Sequence, residues 1–436
     1  MNDKKAVVIG GGLAGVEAAK QLSKRGVKVT LYEMKPRKFS PAHKSEKLAE
    51  LVCSNSLKAE RVGSAAGLLK AEMSLFGSVC VDAAYKAKVP AGGALAVDRD
   101  VFSDEITKSI ESDENITLIR EEITEIPSDG IVIIAAGPLV SDSLAQKIGE
   151  LCGKDFLSFY DAAAPIVTAD SIDMENAFTQ SRYDRGGEDD YINCPLDKAQ
   201  YEEFYEALVN AESADLHSFD KRKDVYEGCM PIEVLASRGK DAMRYGPLKP
   251  VGLTNPKTGH RPWANLQLRK ENRDGTMYNL VGFQTNLKFP EQKRVFSMFP
   301  ALKNAEFVRY GVMHRNTFLN SPGLLSYDFS LKKDPRIYFA GQISGVEGYM
   351  ESASSGILAG YNAARRIFGE EPILLPKITM MGALSQYISD ETVKNFQPMG
   401  AAFGIINPLD ERIKDKKERY ETLAKRSLDY FKTIDL

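Results

Sequence analysis

The sequence predicts an α/β protein in which a parallel sheet is assembled from both ends of the chain and interrupted by a middle α+β insertion. Three observations predict it. A short apolar run at 6–9 leads into Gly10-Gly-Gly-Leu-Ala-Gly15 and then a helical segment. A second glycine-rich strand-to-helix unit stands near the other end, at 334–360. Between them the βα alternation gives way to long stretches of one charge sign. The expected division is 1–160 plus 326–436 for the discontinuous unit and 161–325 for the insertion.

Residues 6–9, Ala-Val-Val-Ile, read as a strand buried on both faces. Gly10, Gly12 and Gly15 fall at G-x-G-x-x-G spacing. Residues 15–25 read as a helix stopped by Gly26, and 27–32 as a second strand ending at Glu33. Gly10 permits the tight turn, Gly12 lets the backbone approach a pyrophosphate, and Gly15 lets helix and strand pack closely. The helix N-terminus offers unpaired N–H groups to phosphates, and an acid at this distance accepts from a ribose. Gly10, Gly11, Gly12, Leu13, Ala14, Gly15 and Glu33 are therefore the candidate contacts of a Rossmann-like dinucleotide site. The motif alone does not separate FAD from NAD.

Composition narrows the class. With 436 residues, 43% hydrophobic and 27% charged, the chain has enough apolar material for two or three domains. No apolar run approaches the ~20 residues that span a bilayer. The first strand follows the opening residues directly, so no signal peptide and a cytoplasmic location are expected. Five cysteines without a C-x-x-C pair argue against a disulfide framework or a zinc site, and no metal is expected. A net charge of −3 means that any nucleic-acid partner must be held by a local patch.

Taken in order, 34–44 holds five basic residues and two prolines and reads as a loop, either solvated or a lip over the cofactor. Next, Cys53 is followed by Ser54-Asn55-Ser56, which leaves open a core thiol or one facing the site. Residues 57–80 read as helical, with Cys80 in the core. A glycine-rich turn at 89–93 leads into a short strand and a helix with Asp100 as its N-cap. Residues 115–119 and the apolar 131–134 read as strands, the latter running into Gly137. Residues 337–340 read as the last strand, followed by a helix from 347 or 348. Residues 411–432 read as a charged, solvated amphipathic helix.

The insertion is segregated by charge. Residues 183–220 carry eleven acids against two basic residues, and 236–273 carry nine Lys and Arg against two acids. The surplus of seven positive charges reads as contact with a nucleic acid or other polyanion, or else as a surface salt-bridged to the acidic stretch. Just before it, Cys229 stands in Glu227-Gly-Cys-Met-Pro231, on a turn or strand end, exposed or structural.

Several of these segments together resemble one family. The glycine turn, the strand into Gly137, and Ile337-Tyr-Phe-Ala-Gly-Gln342 are similar to flavoprotein FAD segments. More specific are Leu48-Ala-Glu-Leu-Val-Cys-Ser-Asn-Ser-Leu57, Tyr226-Glu-Gly-Cys-Met-Pro-Ile-Glu233, Ala264-Asn-Leu-Gln-Leu-Arg269 and Gly345-Val-Glu-Gly-Tyr349. This set resembles the folate- and FAD-dependent tRNA (uracil-5-)-methyltransferases over nearly the whole chain. The resemblance implies FAD held also by Gly137, Gly341 and Gln342. It implies 5,10-methylenetetrahydrofolate as carbon donor, NADH or NADPH as reductant, and the tRNA T-loop, at position 54, as substrate. It implies Cys229 as the thiolate that adds to uracil C6 and makes C5 nucleophilic, with Cys53 as a second thiol near the flavin, as general base or protector of the adduct; the opposite assignment of the two thiols stays open. No stable protein partner is expected. Other readings are a flavoprotein that modifies the wobble uridine of tRNA, an FAD-dependent oxidoreductase of a small molecule, and an RNA-binding scaffold that keeps FAD for structure.

Overall fold

In the computed structural model the described residues form two six-stranded sheets and a two-stranded connector, with a small three-stranded sheet beside them. The structure describes residues 4–153, 156–187, 189–214, 230–394 and 396–436. The first sheet has the order Ser330–Leu331, Asp334–Phe339, Ile131–Ile134, Lys5–Ile9, Lys28–Tyr32, Ile116–Ile119. All neighbours are parallel except the two-residue edge strand Ser330–Leu331. Val8, Leu31, Ile133 and Phe339 are fully buried, as a sheet covered on both faces requires. The expected Rossmann-like sheet drawn from both chain ends is present.

Two helices set the geometry of its carboxyl edge. Leu13–Lys24 leaves the first strand, and Tyr349–Ile367 follows the last. They pack through small residues. A Cβ on Gly356 would lie 2.1 Å from the Ala14 carbonyl oxygen, and one on Gly360 2.5 Å from that of Ala18. Only glycine permits this approach, which brings both helix N-termini to one place.

The second sheet is antiparallel throughout, in the order Phe178–Thr179, Tyr191–Leu196, Ala264–Lys270, Met277–Leu280, Ile166–Thr168, Phe307–Arg309. Helix Lys198–Val209, opened by a capping box between Asp197 and Gln200, covers it. Phe204, Phe283, Phe296 and Phe299 stack edge-on and face-on beneath. The strands Phe156–Ala162 and Met313–Leu319 pair antiparallel and connect the two bodies.

Local corrections have local causes. Residues 57–80 are not one helix. Ser56–Ala59 is a strand paired with Ala94–Val97, and helix Ala65–Leu75 starts only after Ser64, whose hydroxyl accepts from the Gly67 amide. Gly77, at φ +64, ends that helix, and Ser78 caps a new one, Val79–Lys86, in which Cys80 is buried. The cap of helix Arg99–Glu111 is Asp98 rather than Asp100, because the Asp98 carboxylate accepts from the amides of Asp100 and Val101. The last helix, Lys416–Phe431, is not wholly solvated: Leu423, Ala424, Ser427 and Phe431 are buried.

Candidate active site

A cavity of about 430 Å³ opens at the carboxyl ends of the parallel strands. Its wall includes Gly10, Gly11, Gly12, Leu13, Ala14, Glu33, Cys53, Gly137, Gly341 and Gln342. The glycines of the first turn do different work. Gly10 has φ +104, and a Cβ there would sit 2.5 Å from the Ala135 carbonyl. Gly15 does not line the cavity; a Cβ on it would meet the Gly10 carbonyl at 1.8 Å, so it forms the floor. Gly12 is the N-cap of helix Leu13–Lys24, without a side-chain cap, and a Cβ there would meet nothing within 4 Å. Space left open above a helix N-terminus suits an approaching anion. The second helix N-terminus, at Gly348 and Tyr349, borders the same cavity and likewise lacks a side-chain cap.

Glu33 is buried beside the turn. Its carboxylate oxygens accept from the amides of Gly11 at 2.9 Å and Lys35 at 3.0 Å. The main chain thus fixes its orientation, and each oxygen keeps a lone pair for a ribose hydroxyl. Gln342 donates to Glu347 at 2.8 Å. Gly341, at φ +85, gives its amide to Ser355 Oγ at 2.7 Å. From the loop 34–44, Met34, Lys35 and His43 reach the wall, which favours the lip over the solvated reading. Burial lowers the His43 pKa, so its ring favours the neutral form. At the far side Lys58 pairs with the buried Glu351 at 2.6 Å, while Glu351 Oε2 has no hydrogen-bond partner among the described residues. Both residues line the cavity. These observations fit an extended dinucleotide: two uncapped helix N-termini, an open glycine and an oriented acid.

Cys53 stands on the wall in a loop that is tied down on every side. Its amide donates to Tyr349 Oη at 2.7 Å, and the Ser54 amide to the same oxygen at 3.2 Å. Arg99 donates to the carbonyls of Leu51 and Cys53, the latter at 3.1 Å, and Arg309 donates to that of Val52. Arg269 donates to Asn55 Oδ1 and Ser54 Oγ, both at 3.0 Å. Asn55 Nδ2 bonds the carbonyls of Val97 and Lys270, each at 3.0 Å. Glu271 pairs with Arg99 beneath. Burial raises the Glu271 pKa against the pull of Arg99 and Arg269, and burial lowers that of Arg269. Burial also raises the Tyr349 pKa, which keeps its hydroxyl neutral. The loop therefore joins the parallel-sheet unit to the antiparallel one.

Cys229 lies outside the described residues. The segment that follows it is anchored at the cavity: the Ile232 amide donates 2.7 Å to the carbonyl of Gln284, which lines the wall. Glu233 accepts from Thr285 Oγ1 and the Asn286 amide, both at 2.8 Å.

The basic stretch divides. Arg269 is buried in the Cys53 loop, and Lys270 and Lys240 reach back to the acidic stretch, at Asp189 and Glu202. Arg244 lies 3.8 Å from the Trp263 ring centre. Lys249, Lys257, Arg261 and Arg273 remain exposed. The surface is thus partly salt-bridged and partly open. Arg99, Arg309 and Glu351 were not legible as site residues, since each stands alone in sequence. Tyr349 stood within a motif, next to the glycine that begins its helix.

The family model described as "Glucose inhibited division protein A" matches residues 5–371. A protein of Acetivibrio thermocellus named methylenetetrahydrofolate–tRNA-(uracil-5-)-methyltransferase TrmFO is 58% identical over 425 residues, 98% of this chain and 97% of the relative. A protein of the same name from Desulforamulus reducens is 55% identical over 432 residues, 99% and 98% of the two chains. The solved structure of Aquifex aeolicus GidA superposes with a TM-score of 0.70 at 17% identity, over 99% of this chain and 73% of that one, which shows a shared fold. With its glycine cradle, its anchored Cys53 loop and this extent of identity, the chain belongs to the family of methylenetetrahydrofolate–tRNA-(uracil-5-)-methyltransferases, within the group that the glucose inhibited division protein A model describes.

Proposed function

We propose that this chain methylates C5 of a tRNA uracil, the T-loop uridine at position 54. The one-carbon unit comes from 5,10-methylenetetrahydrofolate and the electrons from NADH or NADPH. The observation that carries the reading is a dinucleotide cradle and a fixed cysteine loop on one cavity wall, in a chain 58% identical to a protein of that name. Gly10, Gly11, Gly12, Leu13, Ala14, Gly15, Glu33, Gly137, Gly341 and Gln342 would hold FAD, which when bound supplies the two-electron chemistry that takes a methylene to a methyl group. The flavin unit is assigned to 1–160 plus 326–436 and the RNA-facing unit to 161–325. The protein is assigned to the cytoplasm.

Uracil C5 is a weak nucleophile. A Cys229 thiolate that adds at C6 places the electron pair on C5, which then takes the one-carbon unit. Loss of the C5 proton to a base expels the donor's nitrogen and leaves an exocyclic methylene; a hydride equivalent drawn from NADH or NADPH makes it a methyl group, and the electron pair returned to C5 expels the thiolate and restores the ring. Cys53 is assigned as the second thiol, either that base or a protector of the adduct. The Arg99, Arg309 and Tyr349 contacts hold its backbone fixed relative to the cavity, which limits the reorganisation needed at each turnover. The target base has to leave its stack, and phosphate contacts to the exposed basic residues of 236–273 offset that cost.

The test uses purified protein, unmodified tRNA transcript, labelled methylenetetrahydrofolate and NADPH, with 5-methyluridine as the readout. Label should enter uridine in the wild type and fail to enter in Cys229→Ala. The Cys53→Ala result apportions the two thiols. NADPH oxidation with a small acceptor and no label in RNA would sink the reading in favour of a small-molecule oxidoreductase.

A further inference from the structure

The surface carries a cluster of three near-parallel rings, Phe289, Tyr310 and Phe307. Tyr310 stacks with both of the others, with Phe289 at 4.9 Å and 15° and with Phe307 at 5.4 Å and 7°. Phe289 is 51% exposed and the adjacent Val308 53% exposed. The cluster is built rigidly. Gln292, one turn along the helix that Phe289 begins, is fully buried. It accepts from the Gly311 amide at 2.8 Å, and its Nε2 donates to the Gly311 carbonyl at 2.8 Å and to that of Leu287 at 2.7 Å. This clamps the segment after Tyr310 onto the helix of Phe289.

Its position is set by the site. Arg309, next to Tyr310, donates to the Val52 carbonyl beside Cys53. Gln284, five residues before Phe289, lines the cavity and holds the segment that follows Cys229. Lys288 precedes Phe289, and Lys293 and Arg294 lie on the helix that Phe289 begins. Lys288 and Arg294 are in exposed ion pairs with Glu212 and Glu291, which a phosphate can displace at little cost.

An exposed, preformed stack of flat rings with cations on the helix of Phe289 suits an unstacked base, because every base has a π face and the backbone next to it is anionic. We propose that the Phe289–Tyr310–Phe307 cluster is a stacking platform for loop bases of the RNA substrate, with Phe289 as its exposed ring. The inference rests on the RNA reading above and adds the surface that receives the loop once its stack is opened.

The experiment uses the full flavin-loaded chain and a T-arm hairpin RNA carrying 2-aminopurine in the loop. Wild type, Phe289→Leu and Phe289→Trp are compared by titration of the fluorescence. Phe289→Leu keeps apolar bulk but loses the ring, and should bind roughly 5- to 100-fold more weakly, with less quenching of 2-aminopurine. Phe289→Trp should restore both. Flavin content should be equal in all three. Unchanged affinity and quenching in Phe289→Leu would overturn the proposal, and a change in sedimentation without a change in RNA affinity would assign the cluster to contact between copies of the chain. A wild-type protein that fails to bind the hairpin sinks the RNA reading itself, a separate result.

Discussion

Gly12 and Gly15 stand three residues apart on one turn, yet the same substitution should act on them in different ways. At Gly12 the backbone has φ −74 and ψ −175, which alanine adopts without strain, and the added methyl meets no protein atom within 4 Å. Gly12→Ala should therefore fold with a stability change within about 1 kcal/mol, the ordinary cost at an N-cap. The methyl would occupy the space above the helix N-terminus, so FAD retention should fall by roughly tenfold or more, about 1.4 kcal/mol. At Gly15 the methyl would stand 1.8 Å from the Gly10 carbonyl oxygen. Gly15→Ala should cost about 3 kcal/mol or more and lower the Tm of the apoprotein as well. Flavin absorbance after gel filtration, read beside thermal denaturation of the apoprotein, checks both. A Gly12→Ala protein that retains flavin like the wild type would remove this glycine from the proposed cradle.

At the scale of elements, the helix Tyr349–Ile367 does two things: it aims its N-terminus at the cavity and carries the hydroxyl that receives the amides of Cys53 and Ser54. Tyr349→Phe keeps the ring and removes the acceptor, leaving two amide donors short of a partner at a cost of about 1–3 kcal/mol. Single-turnover methylation should slow while flavin stays bound, and a Tm drop alone, with full turnover, would show that the loop tolerates the loss. This helix also shows what a sequence can carry. Its glycine spacing and the strand before it are local signals, and both were legible. So was the first βαβ unit, because its glycine spacing, the apolar strand before it and the acid that ends the next strand all lie within one thirty-residue window, even though the close neighbour of Gly10, Ala135, lies far along the chain. The strand Ser56–Ala59 was not legible, since its partner, Ala94–Val97, lies some forty residues away and its own residues read equally well as helix. The supports of Cys53 come from positions 99, 269, 309 and 349, and no window along the chain contains them together. Polar neighbours mark Cys53 in the sequence, and two of them, Ser54 and Asn55, accept from Arg269.

Across the whole molecule, a buried carboxyl group ties together parts of the chain that are hundreds of residues apart. Glu72, on helix Ala65–Leu75, is fully buried. It accepts from the amides of Met380 and Met381 at 2.7 and 2.8 Å, at the N-terminus of helix Met380–Ser389, and from Ser427 Oγ at 2.5 Å on the last helix. Burial raises its pKa to about 7, against hydrogen bonds that pull it down. The folded state therefore binds the Glu72 proton more tightly than the unfolded chain does. Its stabilising contribution is fully present below the ordinary carboxylate range near 4.5 and is lost as pH rises toward 7, a change of roughly 3 kcal/mol. Burial raises the pKa of Glu17 and Glu233 too, which adds to the same slope. Denaturant unfolding of the wild type should accordingly show stability that declines between pH 5 and 7, opposite to the trend set by exposed ion-paired acids such as Asp429, whose pKa is lowered to about 2. Glu72→Gln offers one carbonyl acceptor in place of two oxygens and cannot titrate. It should be less stable than the wild type at pH 5 by about 1–3 kcal/mol, and its stability should fall less steeply toward pH 7. A Glu72→Gln protein with the wild-type slope would show that Glu72 does not titrate in this window, and that the three helices are joined by a carboxylate that stays charged.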